Sequence, residues 1–369
     1  MRTEWTGPAC AVAWLLLAAG CLQDARLKLA YNDVPATRAD WPVSTPEAQG
    51  IDPAGLQSAY RRFFAEDEFV SAVSLLVARH GYLVAEGYAR DLADVDRVSA
   101  LQSATKSVTS MLFGIALAQG LVGSLDVPFV DYLPPAYAAP GDMAKVTLAD
   151  LLTMRSGIDF LNGDFTMEMA FHSGNDSLAH IMAKTIVTPP GQVFRYKDAD
   201  PTLAADVLQR HAGVSWAAFA ESNLFRPLGI TSYVWTAAPD GLTYGAYGLY
   251  LRPRDFLKLG LLMLDGGTWQ GAPIIPAAWV AESTGTQVTI PEASQPYPGT
   301  HLDYGFYWWL LPDRGVYAAD GHGGQFLYVV PAKDLVIAFT AEPDTSAGQP
   351  TGHLDHFAGL ADLIVAAAN

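Results

Sequence analysis

The sequence predicts an α+β fold: one antiparallel sheet built from both chain ends, with flanking helices and an inserted, mainly helical region. Three observations predict it. Two β-rich runs, 71–78 (SAVSLLVA) and 82–88 (YLVAEGY), lie near the front of the chain. Three more, 305–311 (GFYWWLL), 325–330 (QFLYVV) and 335–340 (LVIAFT), lie near its end. Between them, from Ser103 to about Leu228, helical spacing dominates, broken by Gly and Pro. The 369 residues are 50% hydrophobic and 16% charged, so the chain can bury a sizeable core and is too apolar for disorder.

Each element has its own signal. Asp52-Pro53 opens a helix whose apolar residues Leu56, Tyr60, Phe63 and Phe64 recur at helical spacing. Gly81 supplies the turn of a hairpin between the first two β runs. A helix begins at Ser103, with Val108, Met111, Leu112, Ile115 and Ala116 on its apolar face and Gly120 where a C-cap glycine belongs. Further helices are expected over Leu203–His211 and, capped by Ser215, over Trp216–Asn223. Pro331–Asp334 is a tight turn between the last two strands. Leu354–Ala368 closes the chain as an amphipathic helix.

The amino end reads as a targeting segment. Residues 9–19 are almost unbroken apolar, roughly half of the ~20 residues a membrane-spanning helix needs. The run ends on Ala18-Ala19-Gly20-Cys21, which resembles a bacterial lipobox with Cys21 as the lipidated residue. Leu22 follows, without the aspartate that retains lipoproteins at the inner membrane. The expectation is an exported, periplasmic lipoprotein anchored to the outer membrane through Cys21; the alternative is a secretory signal and a soluble product. Residues 1–21 are then the signal, 22–44 a tether, and 45–369 the folded domain, its helical region about 111–234.

Composition excludes several functions. Lys+Arg 22 against Asp+Glu 38 gives a net charge of −16, which repels a phosphate backbone, so no nucleic-acid partner is expected. Cys10 and Cys21 are the only cysteines, so the body has no thiol chemistry. No phosphate loop or dinucleotide fingerprint is present. His353 and His356 flank Asp355 without a further ligand cluster, so neither metal nor cofactor is expected.

Ser103 and Lys106 are one helical turn apart on the same face. A serine hydroxyl becomes nucleophilic when a neighbouring group takes its proton, and a lysine can do so or can hold an anionic base in place. The bland alternative is a helix-capping serine beside a solvated lysine. Tyr196 stands at a loop-to-helix junction after Pro190-Gly191, where a phenolate could act as general base. Asp320-Gly321-His322-Gly323-Gly324-Gln325 precedes a strand, and its glycines let backbone approach a substrate and offer N–H groups to an oxyanion. Gly213-Val214-Ser215-Trp216-Ala217 resembles a nucleophile elbow but follows a helix, so Ser215 reads better as a cap.

Ser-x-x-Lys, a loop tyrosine and a Gly-rich third element before a strand together resemble the serine β-lactamase and penicillin-binding-protein superfamily. The surrounding phrases Leu151–Gly157 (LLTMRSG), Pro227-Leu228-Gly229 and 249–267 (LYLRPRDFLKLGLLMLDGG) are most similar to its class C-like branch. That branch includes class C β-lactamases, D-aminopeptidases, family VIII carboxylesterases and 6-aminohexanoate-dimer hydrolases. The resemblance runs from about Thr45 onward and implies the β-lactamase/transpeptidase-like fold. It makes Ser103 the acylated nucleophile, Lys106 the cation that shares its proton, and Tyr196 the general base and later acid. It puts the oxyanion hole at the backbone N–H groups of Ser103 and Gln325. His322, Gly323 and Gly324 then take the place of the family's Lys-Thr-Gly.

Two departures bear on substrate. The family's Tyr-x-Asn is Tyr196-Lys197-Asp198. Beside Lys106, Asp198 would favour the protonated lysine and put the base role on Tyr196; alternatively it points away as helix N-terminal charge. His322 replaces a lysine that in relatives helps bind a substrate carboxylate, and histidine is only fractionally charged at neutral pH. The expectation is a serine hydrolase acting on a small-molecule substrate, foremost carboxylic esters. The alternatives are an amidase of 6-aminohexanoate-oligomer or D-amino-peptide type, a β-lactamase, or a non-catalytic cell-wall peptide-binding protein. An amidase would need an acid for the substrate amine, for which Asp159, Asp164 and Glu168 are candidates. Phe306, Tyr307, Trp308 and Trp309 could line an apolar pocket, though strand-core packing suits most of them better.

Overall fold

The apolar runs at the two ends of the chain pair with each other. The computed structural model describes residues 42–64, 69, 71–89, 91–137, 141–160, 176–295, 300–342 and 354–369. Cys10, Cys21, Asp164, Glu168 and His353 lie outside the described residues, so the expectations placed on them rest on sequence alone.

Helix α1 (Pro53–Phe63) starts where Asp52 accepts hydrogen bonds from the Ala54 and Gly55 N–H groups, with Pro53 at the first helical position. The hairpin of β1 (Ala72–Arg79) and β2 (Tyr82–Tyr88) turns through His80 and Gly81, both at positive φ. A short strand β3 (Ser99–Ala100) leads into α2 (Thr105–Ala118), and Gly120 beyond it has φ 71°, as its C-cap position requires. The middle of the chain adds α3 (Leu148–Leu152), α4 (Ser177–Met182), α5 (Ala199–Ala212) and α6 (Trp216–Ala220). Ser215 caps α6 by accepting from Ala218 N–H at 3.2 Å, as its context predicts. After β4 (Tyr233–Trp235) and β5 (Leu249–Leu251) come α7 (Pro253–Leu264), the small hairpin of β6 (Thr268–Trp269) and β7 (Ala272–Pro273), and α8 (Ala277–Ser283). The chain then runs through β8 (Val288–Thr289), β9 (Asp303–Tyr304), β10 (Trp309–Leu311), β11 (Val316–Gly321), β12 (Gln325–Val330) and β13 (Leu335–Ala341) to α9 (Leu354–Ala367).

The main sheet has the order β2-β1-β13-β12-β11-β10-β9-β8, and its neighbouring strands are antiparallel throughout. The first hairpin joins the last strand through β1 and β13, in register from Ser74↔Thr340 to Arg79↔Leu335. Strands β1, β12 and β13 are buried along their whole length, which is why they read as continuous apolar runs rather than alternating ones. One face carries α1 and α9, packed so closely that a Cβ on Gly55 would lie 2.8 Å from that of Ala367. The other carries α7, whose Gly260 leaves room for Val336 and Leu327. The mixed helix-and-antiparallel-sheet architecture is α+β, as the sequence predicts.

One expectation about strands needs correction, and one strand has no expectation to match it. Residues 305–311 do not form one strand: the chain breaks between β9 and β10, where Tyr307 sits at φ 60°. Strand β11 is hidden, because its last four residues, Ala318-Ala319-Asp320-Gly321, carry little strand propensity. It pairs in the middle of the sheet nonetheless, and its Gly321 end faces the site.

Helix α2 is buried on all sides from Thr105 to Ala116, not along one stripe. Several of its polar groups are partnered across the core. Ser107 Oγ donates to Tyr307 O at 2.7 Å, Thr109 Oγ1 to Gly245 O at 2.8 Å, and Ser110 O accepts from Trp279 Nε1 at 2.9 Å. A side chain at Gly114 would overlap the Trp279 ring, with a Cβ only 2.2 Å away. The helix is thus an axle with the nucleophile candidate at its amino end.

Candidate active site

Ser103 lies in a single 3-10 turn, Gln102–Ala104, that runs directly into α2. Gln102 takes a left-handed conformation, φ 49°, which costs a non-glycine residue energy and turns the next side chain out of the helix line. Lys106, one turn on, is 1% exposed. Its Nζ donates to Ser103 Oγ at 2.9 Å and to Ala246 O at 3.0 Å, and pairs with Asp198 Oδ1 at 2.6 Å. Two accepting oxygens and a carboxylate around Nζ suit the protonated form. Burial works against the charge, but Asp198 and Tyr196 outweigh it, and the Lys106 pKa lies above the usual lysine value.

The sequence left two places open for Asp198, and the structure puts it beside Lys106. Asp198 is the N-cap residue of α5 yet makes no side-chain cap bond. Its carboxylate is turned to the lysine instead.

Tyr196 completes the group. Its phenol neighbours the Ser103 hydroxyl, which draws its pKa down, and its ring centroid is 4.9 Å from Lys106 Nζ. The ring stacks on Trp309 at 5.4 Å and 28°, and meets Tyr304 edge-on at 6.4 Å. Phe194 closes the same aromatic wall, 5.1 Å from Tyr304. Of the four aromatics 306–309, then, Trp309 reaches the site, while Phe306 stacks on Trp279 and Tyr307 and Trp308 are core. Burial, together with Asp198 and Asp320, outweighs Lys106 and the nearby Ser103 hydroxyl, so the Tyr196 phenol stays above its usual pKa. Tyr196 is therefore a neutral phenol at rest, not a standing phenolate.

The third element approaches the turn of Ser103 through Gly321. A Cβ on Gly321 would lie 2.1 Å from Leu101 O and 3.1 Å from Ala104 N, so only glycine lets β11 touch the nucleophile's turn. Gly324, read as the glycine of the third motif, makes room for Phe357 and Ala341. His322 is exposed in the connecting turn, with Gly323 and Gly324 at positive φ behind it. Gln325 pairs with Gly321 across the hairpin and is fully buried; its amide bonds both backbone groups of Ala341.

The Beta-lactamase family profile matches residues 60–356. The chain belongs to the beta-lactamase family. It is 24% identical over 293 residues, 74% of each chain, to the 6-aminohexanoate-dimer hydrolase of Paenarthrobacter ureafaciens. Its fold is similar to that of a family VIII carboxylesterase, with TM-score 0.68 and 20% identity over 86% of this chain and 99% of the other. A penicillin-binding protein homolog from Caulobacter crescentus matches with TM-score 0.63 and 16% identity, over 79% and 93% of the two chains. This member of the beta-lactamase family is a serine hydrolase in class, with both amide- and ester-hydrolysing enzymes among its relatives.

Some of this beta-lactamase-family site was out of reach of the sequence. Ala246 O, which accepts from Lys106, comes from a loop 140 residues away with no signal of its own. Lys197 and Asp200, beneath the tyrosine loop, carried a spacing clue but no functional one. Asp159, a candidate for holding a substrate amine, is exposed and lies 3.5 Å from Arg195.

Asp198 raises the pKa of both its neighbours, Lys106 and Tyr196. In Asp198→Asn, Lys106 loses the charge that raises its pKa, and Tyr196 loses one that raises its own. Both groups then give up their protons at lower pH. The descending, alkaline limb of the kcat/KM profile is therefore expected to move toward neutrality. A pH–rate profile measures it; an unmoved limb contradicts this role for Asp198.

Proposed function

We propose that this protein hydrolyses carboxylic esters through an acyl-enzyme on Ser103. One observation carries the reading: Lys106 Nζ donates to Ser103 Oγ at 2.9 Å, pairs with the Asp198 carboxylate at 2.6 Å and lies 4.9 Å from the centroid of the Tyr196 ring. In it, Ser103 Oγ attacks the acyl carbon, and its proton passes to the Tyr196 oxygen as the phenol's own proton moves on to the ester oxygen that leaves. The alcohol so formed departs and the acyl group stays on Ser103. Water repeats the exchange in reverse to release the acid. A neutral phenol suits such a relay, because it donates and accepts in the same passage. The oxyanion would be met by the N–H of Ser103 and one from the Gly321–Gln325 turn, which presses against it; Gln325, expected as that second donor, belongs to this turn.

Ester rather than carboxylate-bearing substrate is supported by charge. Lys106, the buried cation beside the nucleophile, is matched by Asp198. The third motif offers His322 where relatives have lysine, and the chain carries −16 overall. That favours neutral acyl compounds over β-lactams and D-alanyl peptides. An amidase of the 6-aminohexanoate-oligomer type is the second reading, favoured by the similarity to the enzyme of that name. The proposal of an exported protein, lipid-anchored through Cys21, rests on the sequence of residues 9–21 alone.

A panel of short p-nitrophenyl esters, linear amides, D-amino peptides and β-lactams tests the substrate class. Esters are expected to have the highest kcat/KM; a linear amide outrunning every ester would favour the second reading. Mass measurement after a p-nitrophenyl phosphonate should find one adduct on Ser103. An unlabelled, inactive protein would point to the non-catalytic binding protein.

A further inference from the structure

Lys197 separates Tyr196 from Asp198, and its side chain goes the other way. Both neighbours turn to Lys106; Lys197 turns inward, where it is 0% exposed. There its Nζ lies 3.1 Å from Asp200 Oδ2 and donates to Arg195 O at 3.2 Å. Asp200, equally buried, accepts from Ser156 Oγ at 2.6 Å through its other oxygen, and Ser156 Oγ accepts from Ile158 N–H at 3.2 Å. The segment around Ser156 is itself irregular and fixed. Met154 is at φ 59°, Met154 O accepts from Arg195 N–H at 2.9 Å, and Arg155 O accepts from Gly191 N–H at 2.8 Å. A Cβ on Gly157 would lie 2.0 Å from Thr188 O, so the two segments touch without space between them.

A buried ion pair is a poor way to gain stability, since removing two charges from water offsets their attraction. Here its geometry does something an apolar pair could not. The pair fixes the backbone at 197 by a contact three residues on and a carbonyl two residues back, and the flanking side chains are aimed as a consequence. Resting on the serine-hydrolase reading above, we infer that Lys197, Asp200 and Ser156 form a positioning strut that holds Tyr196 and Asp198 against Ser103 and Lys106. None of the three touches the reacting atoms in that mechanism.

The test uses the full chain with a p-nitrophenyl ester and the phosphonate. Lys197→Met alone leaves the Asp200 carboxylate buried without its cation and is expected to lower Tm. The double variant Lys197→Met/Asp200→Asn removes both charges, so Tm should return toward the wild-type value while kcat stays about 10²-fold down, since misplacement of a catalytic group by about 1 Å costs that much. KM should change little. The alkaline limb of the profile should also shift toward neutrality, because Asp198 no longer holds Lys106. Ser156→Ala, which only frees one oxygen of Asp200, should move kcat and the limb in the same direction by less. Double and Ser156 variants that both keep wild-type kcat and limb would overturn the strut. A wild type that the phosphonate leaves unlabelled would overturn the serine-hydrolase reading and the strut with it.

Discussion

Ser103→Ala is expected to abolish ester turnover, a loss of more than about 10⁴-fold in kcat, without disturbing the fold. The loss is large because the hydroxyl is the only atom of the group that forms a bond to substrate in the proposed mechanism. The fold should persist because Lys106 keeps two of its three oxygens, Ala246 O and the Asp198 carboxylate. Two measurements decide it together: kcat on a p-nitrophenyl ester and Tm by calorimetry. The phosphonate adduct should vanish with the hydroxyl. Turnover persisting within tenfold of wild type at unchanged Tm would mean another residue is acylated.

Tyr196→Phe is expected to lower kcat by about 10²–10⁴-fold, the range of a lost general acid–base group, with KM nearly unchanged. The phenyl ring keeps the stack on Trp309 and the edge contact with Tyr304, so the wall of the site stays in place. Only the oxygen that relays the proton is gone. A loss smaller than about tenfold would show that Ser103 gives its proton elsewhere, and Lys106 would be the remaining partner. The split between kcat and KM is the informative quantity, since a packing defect would raise KM as well.

Much of the architecture was legible because it rests on period and punctuation. The hairpin of β1 and β2 and the closing strands β12 and β13 are long apolar runs bounded by turn residues, and Ser103 and Lys106 are fixed relative to each other by one helical turn. The tyrosine loop was legible from its Pro-Gly turn. What the sequence hid depends on contacts distant in the chain. Gly321 and Gly324 are both glycines before the same strand, and only the approach of Leu101 O to one of them tells which faces the nucleophile. Asp198 was ambiguous because a carboxylate ahead of a helix has a local use as well as the one it makes with Lys106. Strand β11 was missed for want of local propensity, and its place between β10 and β12 supplies by pairing what its residues lack.

The pairing of the first hairpin with the last strand has a consequence for how the molecule comes into being. Ser74 Oγ meets Thr340 Oγ1 at 2.6 Å, across 266 positions of chain. As the polypeptide is made from its amino end, β1 emerges early and waits for most of synthesis before its partner exists. A chain halted at Val330 has no β13, so β1 keeps a bare hydrogen-bonding edge and an apolar surface with nothing to cover it. Contacts of such long range form slowly, because the whole intervening loop must close first. The two parts of the sheet, β1–β2 and β8–β12, are therefore joined only when β13 arrives. The catalytic turn at Ser103, which leans on β11, takes its final form only once the far end of the chain has arrived.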